Sequence, residues 1–141
     1  MSCPCCNSDY HKVGLLALRD NRILLCRKSR GASLLILPGG CLEQQETAAQ
    51  CLQRELQEEL GVSATNTGFI GTYIDNAAGE SRKTVRIDLY HGDLTGRPEP
   101  QSEIADLIWF GPTDDRTQLA PSIARKILPD LIRRNILPWS A

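Results

Sequence analysis

Between Gly40 and Val62 the chain places five acidic side chains and a single basic one, Arg54. Three of the acids, Glu55, Glu58 and Glu59, fall at i, i+3 and i+4. On a helix advancing about 100° per residue, that spacing gathers their carboxylates on one face. Like charges so placed repel by roughly 0.2–0.5 kcal/mol per pair, and a helix that needed only solubility would intersperse lysines. The plain alternative is a solvated acidic face. A divalent cation would remove the repulsion, and hard cations such as Mg²⁺ favour clustered carboxylate oxygens together with substrate phosphates. The spacing reads as a metal cradle.

The elements that must position these acids are legible around them. Thr47 followed by Gln50 has the form of a capping box, so Thr47 is the expected N-cap of the helix. Gly61 stands where a left-handed C-terminal cap is needed. Between them Ala49, Leu52, Leu56 and Leu60 form an apolar stripe, and the acidic face runs along the edge of that stripe. Upstream, Pro38-Gly39-Gly40 ends a strand and opens a loop whose backbone can approach a ligand closely, since glycine has no Cβ. Carbonyl oxygens of that loop could join the carboxylates around a cation.

Elsewhere the pattern is an α+β mixture, strands in one sheet system with helices packed against it. Residues 13–19 and 22–28 read as a hairpin about Asp20-Asn21, and 34–38 as a short buried strand. Further strands are expected at 67–74, 84–94 and 106–110, with 75–83 and 95–102 as loops. Ile123, Ile127, Leu128, Leu131 and Ile132 recur at helical spacing, with Pro129 kinking that helix or starting a new one.

The length of 141 residues suits one domain. A net charge of −1 gives no bulk attraction to nucleic acid or to an anionic membrane, so no nucleic-acid polymer and no membrane is expected as partner. No apolar run reaches the roughly 18–20 residues of a membrane span, and the first residues lack the apolar stretch of a secretory signal. A cytoplasmic, reducing setting is expected, with most of the six cysteines as free thiols. Residues 1–12 read as a short Cys-containing tail and 13–141 as a single domain. Cys3 and Cys6 make half of a zinc ribbon. A tetrahedral zinc site from Cys3, Cys5, Cys6 and His11 would be cramped, and a flexible tail with oxidisable thiols is preferred.

At this point the residues resemble a known pattern, the Nudix box of the Nudix hydrolases. Gly40, Glu46, Arg54, Glu55, Leu56, Glu58, Glu59, Gly61 and Val62 each occupy a box position. Glu103 and Trp109-Phe110 resemble the family's downstream segment, and Gln45 departs from the glycine many members carry before the box glutamate. The resemblance implies a mixed β-sheet sandwiched between α-helices (α/β/α). It implies Mg²⁺ (or Mn²⁺) on Glu55, Glu58 and Glu59, with help from the Gly39 carbonyl. Arg54 would hold a neighbouring box glutamate, and Glu46 would belong to the same scaffold, reaching across from the helix entrance. Glu103 is a candidate extra metal ligand or general base. Arg27, Gly39, Gly40 and Trp109 are candidate substrate contacts, and Tyr73, Tyr90 and Phe110 are further candidate walls for a base.

The reaction implied is hydrolysis of a nucleoside diphosphate linked to another group X, a small-molecule nucleotide. The proline that the ADP-ribose subgroup carries beyond the box is missing from Asn76-Ala77-Ala78-Gly79, and the NADH and coenzyme A signatures are absent. By elimination a nucleoside triphosphate, damaged or not, is the expected substrate. ADP-ribose or a nucleotide sugar is the alternative, and a non-catalytic nucleotide-binding regulator is the alternative of another class. A homodimer is left open.

Overall fold

The computed structural model describes residues 8–31 and 33–141. Cys3, Cys5 and Cys6 therefore lie outside the described residues. The elements are β1 (Tyr10–Leu16), β2 (Leu18–Arg19), β3 (Arg22–Lys28), β4 (Gly39–Cys41), α1 (Ala48–Leu60), β5 (Ala64–Ala77), β6 (Glu80–Leu94), β7 (Ile104–Phe110) and α2 (Leu128–Arg133). They form a mixed four-stranded sheet in the order β4-β1-β6-β5 and an antiparallel three-stranded sheet in the order β2-β3-β7. In the first sheet β1 runs parallel to β6 and antiparallel to β4.

Alternation along the strands divides the interior in two. On β3, Leu24 and Cys26 face one core, with Cys51, Leu52, Leu56 and Leu60 of α1. Ile23 and Leu25 face the other, with Ile123, Ile127, Leu128 and Leu131 of the C-terminal helical segment. β1 does the same with Val13 and Leu15 on the α1 side and Leu16 on the other. Strands thus lie between helices, in the α/β/α layering of an α+β protein.

Several local elements differ from the sequence expectation. The run 13–19 is not one strand. It breaks at buried Ala17, whose carbonyl accepts from the Leu24 N–H, and its two parts enter different sheets. The hairpin turn needs no glycine, because Asp20 (φ 51°) and Asn21 (φ 63°) both adopt the left-handed conformation that short polar side chains tolerate. Residues 34–38 contribute two isolated bridges, Ile36 to Cys26 and Leu35 to Leu119, instead of a strand. The segment 75–83 is a tight β5–β6 hairpin with Gly79 at φ 72°, not a loop. β1 begins at Tyr10, so residues 10–12 belong to the sheet. At the C-terminal end a π-helical turn, Ile123–Ile127, runs directly into α2, and Pro129 sits in the first turn of α2 at that junction, so it neither ends the helical segment nor starts a separate one.

Candidate active site

α1 is fixed at both ends by its own residues. Thr47 Oγ1 accepts from the Gln50 N–H at 3.1 Å, and Gln50 Oε1 accepts from the Thr47 N–H at 2.9 Å. Gly61, at φ 68°, closes the other end with its N–H on the Gln57 carbonyl. The buried stripe is Cys51, Leu52, Leu56 and Leu60, with Cys51 where Ala49 was expected; Ala49 is exposed.

That rotation drives Glu59 inward. It is 9% exposed, and its Oε1 accepts from the Gly39 N–H at 2.9 Å. Burial pushes its carboxyl up to about 7, against the pull of the Gly39 hydrogen bond. Glu55 and Glu58 flank it and both take hydrogen bonds from Arg54 Nη1, at 2.9 and 3.5 Å. Arg54 itself is clamped by Glu46 through two bonds, Nε to Oε2 at 2.7 Å and Nη2 to Oε1 at 3.0 Å. This two-point fork is the geometry only a guanidinium provides. It holds the Glu46 carboxyl down at about 2.

The two glycines are required for different reasons. At Gly39 (φ +134°) a Cβ would lie 2.0 Å from the Val13 carbonyl oxygen, inside the sheet backbone. At Gly40 it would lie 2.3 Å from the carboxyl carbon of Glu55. Gly39 makes room for the strand pairing, Gly40 for the acid.

These groups open on a cavity of about 360 Å³. Glu55, Glu58 and Glu59 line it together with Gly39, Gly40 and Glu103, which stands just ahead of β7. Lys12 from β1 and Lys28 from β3 line it as well. Its remaining wall is apolar, from Leu37, Ala77, Val85, Ile87 and Ile123, with the buried Ser122 among them.

Two candidate substrate contacts stand elsewhere. Arg27 bonds Asp106 at 3.1 Å and the Ser33 carbonyl at 3.2 Å. Trp109 stacks under the Arg19 guanidinium, 4.7 Å from its ring centroid, and lines a separate cleft with Arg97 and Leu107. None of the expected aromatics lines the cavity: Tyr73 donates to Asp130, Tyr90 meets Phe69 edge-on, and Phe110 packs on Trp139. His11 bonds Asp88 at 2.8 Å. Sequence reasoning missed Lys12 and Ser122. The signal for Lys12 is the alternation of β1, which puts it on the face of Gly14 once the strand is known to start at Tyr10.

Among the described residues no three potential ligands already converge on one point. Glu59 is turned to the Gly39 N–H, and Glu55 and Glu58 to Arg54. The donor chemistry nonetheless fits a hard cation. Three carboxylates share one wall, and the buried one, Glu59, has no ion-pair partner among the described residues, a costly state that a cation would relieve.

The sequence profile of the NUDIX domain matches residues 11–131. The chain belongs to the Nudix family. This is a family of hydrolases acting on phosphoric anhydride bonds that generally use a divalent metal such as Mg²⁺. The CTP pyrophosphohydrolase of Escherichia coli (strain K12) is 33% identical over 107 residues, 72% of this chain and 76% of that protein. The NAD-capped RNA hydrolase NudC of Vibrio vulnificus (strain CMCP6) is 31% identical over 113 residues, 78% of this chain but 42% of that protein. The chain thus spans half or less of the length of the NudC relatives it matches. Among solved Nudix structures, the E. coli ORF135 protein superposes with a TM-score of 0.72 at 26% identity, covering 93% of this chain and 94% of its own. The MutT protein of Methanosarcina mazei Go1 shares the fold at a TM-score of 0.75 and 20% identity, over 89% of this chain and 94% of its own.

Proposed function

We propose that this protein is a Mg²⁺-dependent (or Mn²⁺-dependent) pyrophosphohydrolase of small nucleotides, with a nucleoside triphosphate, intact or damaged, as the preferred substrate. The observation that supports it most is the shared wall of Glu55, Glu58 and Glu59 in a cavity that also holds two lysines and an apolar end. The three glutamates, with the Gly39 carbonyl, would hold the cation. When bound, it would offset charge on the diphosphate oxygens.

The chain's own residues supply the rest. Arg54, locked by Glu46, holds Glu55 toward the cavity and also reaches the exposed Glu58. Glu103 lines the same cavity from the loop before β7, which supports a role in taking a proton from an attacking water. The apolar wall of Leu37, Ala77, Val85, Ile87 and Ile123 would shield a base from water without stacking on it, since among the described residues no aromatic side chain lines the cavity. The CTP pyrophosphohydrolase relative, matched over most of its length, supports a triphosphate. A second reading, a diphosphate within a dinucleotide, has support from the NudC relatives.

The test is release of phosphate and pyrophosphate, with Mg²⁺, from nucleoside triphosphates, oxidised nucleotides, ADP-ribose, nucleotide sugars and NAD⁺. Turnover of a triphosphate that vanishes in Glu58→Gln is expected. No turnover of any compound, with nucleotide still bound, would make the protein a binding module instead.

A further inference from the structure

Two ammonium groups line the cavity without a salt bridge to any carboxylate of the described residues. They belong to Lys12 and Lys28, and both are half-buried. Among the described residues neither makes a salt bridge or a hydrogen bond, and Lys12 has only the Tyr10 ring, 5.9 Å from its Nζ to the centroid. The arginines nearby are committed, Arg54 to Glu46 and Arg27 to Asp106. Glu59, the acid that faces the two lysines, spends its inner oxygen on the Gly39 N–H and pairs with neither.

The two lysines also act on each other. Burial first, then the positive charge of Lys28, lowers the Lys12 pKa. Folding therefore brings two like charges to one partly desolvated wall, where the field of Glu59 offsets their repulsion only in part and no salt bridge forms. A polyanion would offset the rest. The terminal phosphate of a nucleotide fits, with about −1.5 to −2 charges and three strong acceptor oxygens. A diphosphate esterified at both ends offers no such group. Lysine binds phosphate as a mobile point charge and needs no fixed fork, so a pair from two strands can close on one phosphate.

We propose that Lys12 and Lys28 form a clamp for the free terminal phosphate of a nucleoside di- or triphosphate, and so make this site prefer such substrates to dinucleotides. The proposal rests on the nucleotide-hydrolase reading of the cavity and adds the device that selects among its substrates.

The test compares kcat/KM for a nucleoside triphosphate and for NAD⁺, with Mg²⁺, in the wild type, Lys12→Gln, Lys28→Gln and the double variant, each shown folded by circular dichroism. Loss of about tenfold or more per lysine on the triphosphate is expected, mostly in KM, with less than twofold on NAD⁺. Equal losses on both substrates, or none on the triphosphate, would overturn the clamp. Should the wild type turn over neither, the triphosphate preference fails, and the hydrolase reading fails with it only if the wider nucleotide panel is also untouched. The clamp would then be judged by calorimetry with an α,β-methylene triphosphate against NAD⁺, on the same ratio: selective weakening of the analogue supports it, and equal or no weakening overturns it.

Discussion

The Gly39 N–H donates to Glu59 Oε1 at 2.9 Å, joining the first residue of β4, a strand where the sequence suggested a loop, to the last turn of the acidic helix. This bond carries the carboxylate into the cavity wall beside Glu55 and Glu58. It exists because Gly39 adopts φ +134° against the backbone of β1, where any side chain would strike the Val13 carbonyl.

Alanine at each glycine should separate folding from function. Gly40→Ala puts a methyl on the Glu55 carboxyl, the movable end of a flexible side chain. Its melting temperature should fall by only a few degrees, as for a loss of about 1 kcal/mol, while kcat falls at least about tenfold because an acid of the cradle is displaced. Gly39→Ala meets backbone and should lose about 2 kcal/mol or more. Equal stability losses from thermal melts of the two would contradict this division.

Arg54→Lys keeps the charge and removes the two-point fork on Glu46. The remaining ammonium cannot bond Glu46 twice and also reach Glu55, so the cradle loosens. Activity should drop about 10- to 100-fold, with the larger part in the Mg²⁺ concentration needed for half-maximal rate. An unchanged Mg²⁺ dependence would contradict the scaffold role.

Acid unfolding should report the same pair. The Glu46 carboxyl is held at about 2 in the folded protein against an ordinary 4.5, chiefly by its hydrogen bonds from Arg54. A depressed pKa contributes stability above the unfolded value and loses it as pH falls toward the folded one. Between pH 4.5 and 2 the wild type should therefore lose melting temperature more steeply than Glu46→Gln. Parallel slopes would count against the pairing.

How far the sequence reveals this arrangement depends on the range of each interaction. The caps at Thr47, Gln50 and Gly61 are bonds within four residues, and all three are visible in the letters. The shared face of the three glutamates follows from helical spacing alone. What lies opposite that face does not. Burial of Glu59 requires β1 and β4 to stand over the helix, and the helix turns Cys51 inward where the stripe suggests Ala49. The break at Ala17 is hidden because both halves of the run 13–19 are apolar, whichever sheet they join. Arg27 and Lys28 are adjacent in sequence but alternate across β3, so one pairs with Asp106 at the surface and the other lines the cavity.

The C-terminal segment supplies one wall of the cavity through Ser122 and Ile123, and its docking depends on a polar lock: Tyr73 Oη donates to Asp130 Oδ2 at 2.6 Å, and Arg134 bonds both Asp130 and the Ile70 carbonyl. Tyr73→Phe should cost about 1–3 kcal/mol by denaturant unfolding. A change below about 0.5 kcal/mol would place the docking energy entirely in Ile123, Ile127, Leu128 and Leu131.

The central claim is that Glu55, Glu58 and Glu59 hold a divalent cation, and Mn²⁺ binding tests it without requiring any turnover. Free Mn²⁺ would be followed by its electron paramagnetic resonance signal in titrations of the wild type, Glu58→Gln and Glu59→Gln. The wild type should take up the ion saturably, and each variant should bind it at least about tenfold more weakly. Equal uptake by all three would contradict the cradle.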